Sequence, residues 1–199
     1  YAGFKNDTGT QNVFLGSQAG CQNTTASCLV FIGYRTGHCN TTGVCNVAIG
    51  WYAGFSNIIG ISNTMIGFQA GRNLTSSGST IIGSLAGNNA TSATDLTILG
   101  AYAAASNTTG SKNVAIGAAA LYSNTTASNN TAVGYQAGNT NTTGTRLTAI
   151  GYQSGYTSNA NYCTFVGSFA GQKSTGEGNT AIGDGAIGVS GTVTGAYNT

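Results

Sequence analysis

The side chains best suited to nucleophilic, metal-binding or acid-base chemistry in this chain are few: five cysteines, one histidine and four carboxylates among 199 residues. Cys21, Cys28, Cys39 and Cys45 fall within 25 residues of one another, while Cys163 stands alone. Cys21 and Cys28 flank one Asn-Thr-Thr segment and Cys39 and Cys45 flank the next. Disulfides across these segments are expected, or alternatively pairs between them, Cys28 with Cys45 and Cys21 with Cys39. Either arrangement predicts an oxidising, extracellular setting. His38 beside the four thiols raises a zinc site, but no Cys-x-x-Cys pair is present and no metal is expected. Cys163 is expected to be buried as a small hydrophobe.

Asp7, Asp95, Glu177 and Asp184 are scattered, and no Ser-His-Asp arrangement surrounds His38, so no acid-base pair is legible and no enzyme activity or cofactor is expected. Gly183 to Gly188, GDGAIG, spells the dinucleotide fingerprint, yet no strand-helix-strand pattern surrounds it. Sequons start at Asn6, Asn23, Asn40, Asn73, Asn89, Asn107, Asn124, Asn129 and Asn141. They offer N-glycosylation, but a repeated Asn-Thr-Thr turn generates the same spacing without it.

The elements that must position these residues are repeats. NTAVGYQAG at Asn130 to Gly138 has close copies along the whole chain, with its central glycine recurring as Gly16, Gly33, Gly50, Gly67, Gly83, Gly100, Gly117, Gly134, Gly151, Gly167 and Gly183. The spacing is 16 or 17 residues throughout. So short and regular a period predicts a single all-β domain over residues 1–199, a parallel β-solenoid (β-roll) of about eleven coils. At the usual inter-strand spacing it is about 50 to 55 Å long. The chain starts on Tyr1 rather than Met and begins and ends partway through a repeat, at Asn198 and Thr199, as a segment excised from a longer fibre would.

Before each anchor glycine stands a wholly branched aliphatic column, including Ile32, Ile49, Ile66, Ile82, Ile116, Val133, Ile150 and Ile182. Two residues earlier come Val13, Val30, Val47, Thr64, Thr80 and Thr97. Strand alternation puts both columns on one face, and their apolar character predicts that this face is the core. The intervening column, from Ala48, Ala115 and Ala132 to Phe31, Met65 and Phe165, then lies on a second face covered by a partner chain. Gly138 and its equivalents are expected to turn a corner with positive φ. At the opposite turn Asn6, Asn23, Asn40, Asn107, Asn124 and Asn141 form a column whose amides can bond along the stack. A second column, Asn12, Asn46, Asn63, Asn113, Asn130 and Asn179, opens the strand. Tyr34, Trp51, Tyr52, Phe68, Tyr135 and Tyr152 follow anchor glycines and form either a sugar-stacking strip or packing against a neighbouring coil or chain.

Composition narrows the partners. Only 5% of residues are charged, the net charge is +2 and the cations are dispersed, so no basic stripe for nucleic acid exists. No apolar run approaches the roughly 20 residues of a membrane helix. Proline is absent where average usage gives about ten, as stacked ladders require.

The copies NTAVGYQAG, LTAIGYQSG, NVAIGWYAG and NTAIGDGAI, joined by NTTG turns, resemble repeats of phage tail-fibre proteins and, in lengthened form, the heads of trimeric autotransporter adhesins. The resemblance covers essentially all of the chain. It implies a rigid, commonly homotrimeric shaft or head on a cell or virion surface, presenting a receptor-binding end. Further copies of the chain, as a homotrimer or an end-to-end polymer, and a cell-surface glycan or receptor are then the expected partners. An ice-binding solenoid is the alternative, suggested by the Thr-rich turns, although adjacent threonines on a strand point to opposite faces. A self-assembling extracellular filament is a further alternative.

Overall fold

A computed structural model describes residues 1–187 and 195. Eleven three-residue strands appear in chain order: β1 (Val13–Leu15), β2 (Val30–Ile32), β3 (Val47–Ile49), β4 (Thr64–Ile66), β5 (Thr80–Ile82), β6 (Thr97–Leu99), β7 (Val114–Ile116), β8 (Thr131–Val133), β9 (Thr148–Ile150), β10 (Thr164–Val166) and β11 (Thr180–Ile182). Each pairs in parallel with the next, so one sheet runs β1 to β11 in sequence order. The register is strict, with Ile116 opposite Val133 and Val133 opposite Ile150. This is the expected all-β parallel solenoid. Asn198, Thr199 and Gly188 of the GDGAIG match lie outside the described residues.

Pairing continues around the coil. The Gly37 N–H donates to the Ala53 carbonyl at 3.0 Å and the Cys39 N–H to the Phe55 carbonyl at 3.0 Å, while the Tyr52 N–H reaches the Tyr34 carbonyl at 3.0 Å. Backbone groups outside the short strands are therefore satisfied by the neighbouring coil, as a narrow stack demands. The anchor glycine is required by that stacking. Gly100 has φ +142°, and a Cβ there would lie 2.5 Å from the Gly117 carbonyl oxygen of the next coil. Gly138, with φ +57°, turns the corner as expected. The corner just before it also takes the left-handed conformation, but with ordinary residues such as Arg35, Tyr52 and Gln136.

The one-residue shortenings are absorbed at a single place. Five residues separate Asn57 from the left-handed Ser62, but only four separate Leu74 from the left-handed Gly78. The Asn-Thr-Thr turn loses the residue, and Met65 still pairs with Ile81 in the sheet. Register is kept because slippage by one would exchange the two faces of every later strand.

The core is the reverse of the face assigned from sequence. The central strand residues Phe31, Ala48, Met65, Ile81, Ile98, Ala115, Ala132, Ala149 and Phe165 point inward and are buried. They meet a column of small residues on the opposite wall, including Ala53, Ala70, Ala86, Ala103, Ala120 and Ala137, also buried. Ile32, Ile49, Ile66, Ile82, Ile116 and Val133 are only half-buried and Ile150 and Ile182 are exposed, so the aliphatic column faces outward. The physical reason is width. A strand of three residues directs one side chain into the coil, and a coil this narrow admits Ala there as readily as Phe or Ile. The coil's own opposite wall covers the central column, so no partner chain is needed for it.

Candidate functional site

The amide ladder forms as the turn chemistry suggests. The Asn23 side-chain N–H donates to Asn6 Oδ1 at 2.5 Å, Asn40 to Asn23 Oδ1 at 3.1 Å, and Asn124 to Asn107 Oδ1 at 2.6 Å. Asn141 follows on Asn124 Oδ1 at 3.5 Å. Each amide also closes its own turn, as Asn124 does on the Ala127 carbonyl at 3.0 Å. Asn57 extends the ladder by position, and Leu74 and Ala90 interrupt it in the middle of the stack. The second column works differently. Asn130 accepts from the Leu147 N–H at 2.8 Å and donates to the Gly144 carbonyl at 3.0 Å, clamping the next coil with both ends of one amide.

These roles bear on glycosylation. Asn23, Asn40, Asn107, Asn124 and Asn141 are fully buried with their amides engaged, so the fold has no room for a glycan on them. Asn6, Asn89 and Asn129 are exposed. The first threonine of these turns is also committed: Thr24, Thr108 and Thr125 each donate to a carbonyl one coil on, at 3.0 to 3.2 Å. These first threonines therefore serve the stack, while the second ones, Thr25, Thr42, Thr109 and Thr126, are exposed.

All five cysteines are free thiols, and neither sequence-derived set of disulfide pairs is formed. Cys28 and Cys45 occupy the same column on adjacent coils and are exposed, whereas Cys21 shares its column with His38 and not with Cys39. Cys28 instead bonds Gln11 Oε1 at 3.2 Å, and Cys39 lies 3.6 Å from His38 Nδ1. Cys163 is buried, as expected, and its burial pushes its thiol up. Burial lowers the His38 imidazole, with Arg35 and Lys5 adding to the effect. Among the described residues no three His, Cys, Asp or Glu side chains converge on a metal position.

The aromatic residues stack along the solenoid. Tyr34 and Trp51 are 6.1 Å apart and Trp51 and Phe68 5.1 Å, near-parallel on successive coils, and Tyr135 and Tyr152 repeat the contact at 5.4 Å. Coil-to-coil packing therefore uses most ring faces that a sugar strip would need. Two arginines border the first stack. Arg35 bonds Gln18 Oε1 at 2.6 Å and the Tyr52 hydroxyl at 2.9 Å, and that second bond raises its pKa. Arg72 lies 5.5 Å from the Tyr52 ring centre and 5.9 Å from that of Phe55.

The outward face of the sheet is continuous along the stack. It carries the Val/Thr column beside the Ile/Leu/Val column over all eleven strands. No protein-family model matches the chain, and no curated protein or solved structure matches it. The function must then be argued from the surfaces themselves. Sequence reasoning missed the outward face because it judged a column by apolarity alone. A usable signal was size compensation: Phe31 is followed six residues later by Gly37, and Ala115 by Leu121, which marks the central column as the one that fills the interior.

Proposed function

We propose that this solenoid is a structural and adhesive segment of an extracellular or virion-surface fibre, built from parallel copies packed through their outward sheet faces. The observation that carries the reading is the Ile/Leu/Val column, half-buried to exposed, that runs along every strand beside a column of Val or Thr. A contiguous apolar stripe of this length marks an interaction surface. Its in-register periodicity fits a second copy aligned alongside, and three copies joined in a ring close the contact without free edges. Rigidity comes from the inner column and the two amide columns, and length from repeat number. The test is native mass by light scattering: three chains of 19.8 kDa give about 59 kDa. A monomer at micromolar concentration would refute the assembly.

A second reading is favoured by one observation. Thr64, Thr80, Thr97, Thr131, Thr148, Thr164 and Thr180 stand on the outward face two residues before an aliphatic one, so hydroxyl and methyl groups alternate regularly on a face of very low charge. Such an array suits ice if left uncovered. Thermal hysteresis of a monomeric sample supports it, and its absence removes it.

A further inference from the structure

The Asn-x-Thr triplets fall on three columns of the solenoid, and the columns differ in what the amide does. Asn23, Asn40, Asn107, Asn124 and Asn141 stand on the ladder and have 0% exposure. The Asn124 nitrogen spends both of its hydrogens, one on Asn107 Oδ1 and one on the Ala127 carbonyl. Asn23 does the same on Asn6 Oδ1 and the Ala26 carbonyl, and Asn141 on Asn124 Oδ1 and the Gly144 carbonyl. Where the ladder position is Leu74 or Ala90, the triplet starts one residue earlier, at Asn73 or Asn89, and Asn89 is exposed. Asn129 stands at a left-handed corner, φ +63°, and is exposed too.

N-glycosylation acts on the same nitrogen. Transfer of an oligosaccharide from a lipid diphosphate breaks the sugar-phosphate bond, joins the sugar carbon to Nδ2 and releases one Nδ2 proton. A ladder nitrogen so modified keeps one hydrogen where the stack uses two, and it carries a bulky polar chain into a fully buried site. The acceptor is an Asn-x-Thr triplet in unfolded chain. Each ladder asparagine stays in that state until a neighbouring coil docks, because one coil cannot bury its own faces. Its partner amide lies 17 residues away, so the triplet is open while the chain is being made. Glycosylation and folding therefore compete for these five nitrogens.

We propose that this chain folds where N-glycosylation does not reach, in the cytoplasm of the cell that makes it, and arrives at the surface already folded as part of a particle assembled inside that cell. The thiols fit the same compartment. All five are free, and Cys28 and Cys45 are exposed on adjacent coils, where an oxidising lumen favours disulfides. Of the two settings in the fibre reading, this selects the virion surface over secretion through a glycosylating pathway. The inference rests on that reading for the chain's destination, and on the buried ladder for the place of folding.

The test is to make the whole chain in a eukaryotic cell twice, in the cytosol and behind a cleavable secretory leader, reading sugar occupancy by peptide mass mapping and folding by circular dichroism melting. The cytosolic chain should be unmodified and melt cooperatively. The chain sent through the secretory route should carry sugars on ladder asparagines and lose that transition, and an inhibitor of lipid-linked donor synthesis should restore it. Thr25→Ala, Thr42→Ala, Thr109→Ala, Thr126→Ala and Thr143→Ala, made together, change exposed positions, remove the five ladder triplets and keep every ladder amide. This variant should fold by either route, with sugars confined to the remaining triplets; if it fails in the cytosol as well, the inhibitor alone decides. The proposal is overturned if the wild-type chain melts equally well after the secretory route, or if it stays unfolded there when donor synthesis is blocked. Native mass of the cytosolic chain separates this result from the fibre reading, since a folded monomer refutes only the assembly.

Discussion

Gly37 leaves the space that the ring of Phe31 occupies: a Cβ on Gly37 would come within 2.6 Å of Phe31 Cδ2. Five coils later the same two positions are Ala115 and Leu121, and the volumes are exchanged. Gly37→Ala should therefore overpack the coil and destabilise the protein by about 1 to 3 kcal/mol. Phe31→Ala, which opens a cavity, should cost about 3 to 5 kcal/mol. The double variant Phe31→Ala, Gly37→Leu copies the Ala115 and Leu121 pair, whose leucine already takes φ +49°. Denaturant titration should find it more stable than Phe31→Ala alone.

Ile116 and Ala115 are neighbours in β7 with opposite destinations. Ile116→Asp should leave monomer unfolding within about 1 kcal/mol of wild type, because the side chain faces outward. Ala115→Asp should abolish folding, since it buries a charge in a column with no partner for it. If the outward face joins copies, Ile116→Asp should also reduce the native mass to that of one chain. Circular dichroism melting with light scattering reads both effects, and a collapse of Ile116→Asp comparable with that of Ala115→Asp would reverse the assignment of faces.

Asn124 is bonded above, below and within its turn. Replacing it with Ala leaves Asn107 Oδ1 without that donor in a buried site, at a cost of about 1 to 3 kcal/mol, while the Ala127 carbonyl keeps the Asn113 amide at 2.8 Å. Asn124→Leu, which copies the natural Leu74, should lose less than Asn124→Ala because it refills the volume. The two melting temperatures decide the matter.

The thiols should differ in reactivity. Cys28 and Cys45 are exposed and should react first with a maleimide, whereas Cys163, buried and raised by that burial, should react only on unfolding. Because no disulfide is formed in the fold, reductant should leave the melting temperature unchanged. Mass spectrometry of timed labelling gives the order.

His38 stacks on Phe55 at 5.3 Å, and its folded pKa is held below the ordinary 6.5. The unfolded chain then binds a proton more readily than the folded one, so stability should fall as the pH drops below about 6.5. The effect should be small because the ring is only partly covered. His38→Asn should flatten that limb of the profile of melting temperature against pH, and an unaltered slope would assign it to other groups.

The sequence by itself determined the solenoid, its period, the anchor glycines and the amide ladder, because each is a local requirement repeated in register. A glycine that meets the next coil's carbonyl leaves the same residue at the same interval in every coil, and an asparagine that closes its own turn does so in most of them. It also determined that Val/Thr and Ile share one face. Which face was inside was decided only in three dimensions. Alternation says that neighbouring residues part company, but the width of the closed coil selects the side, and this coil holds one side chain per strand against a wall of alanine. The ends of the Trp51 and Phe68 stack were legible as a list of aromatics. That Trp51 and Phe68 lie parallel at 5.1 Å depends on how coils superpose, which brings residues about 17 positions apart into contact. The cysteines show the same limit. Their sequence proximity suggested bonds, but the columns send Cys21 and Cys39 to different places and leave every thiol free.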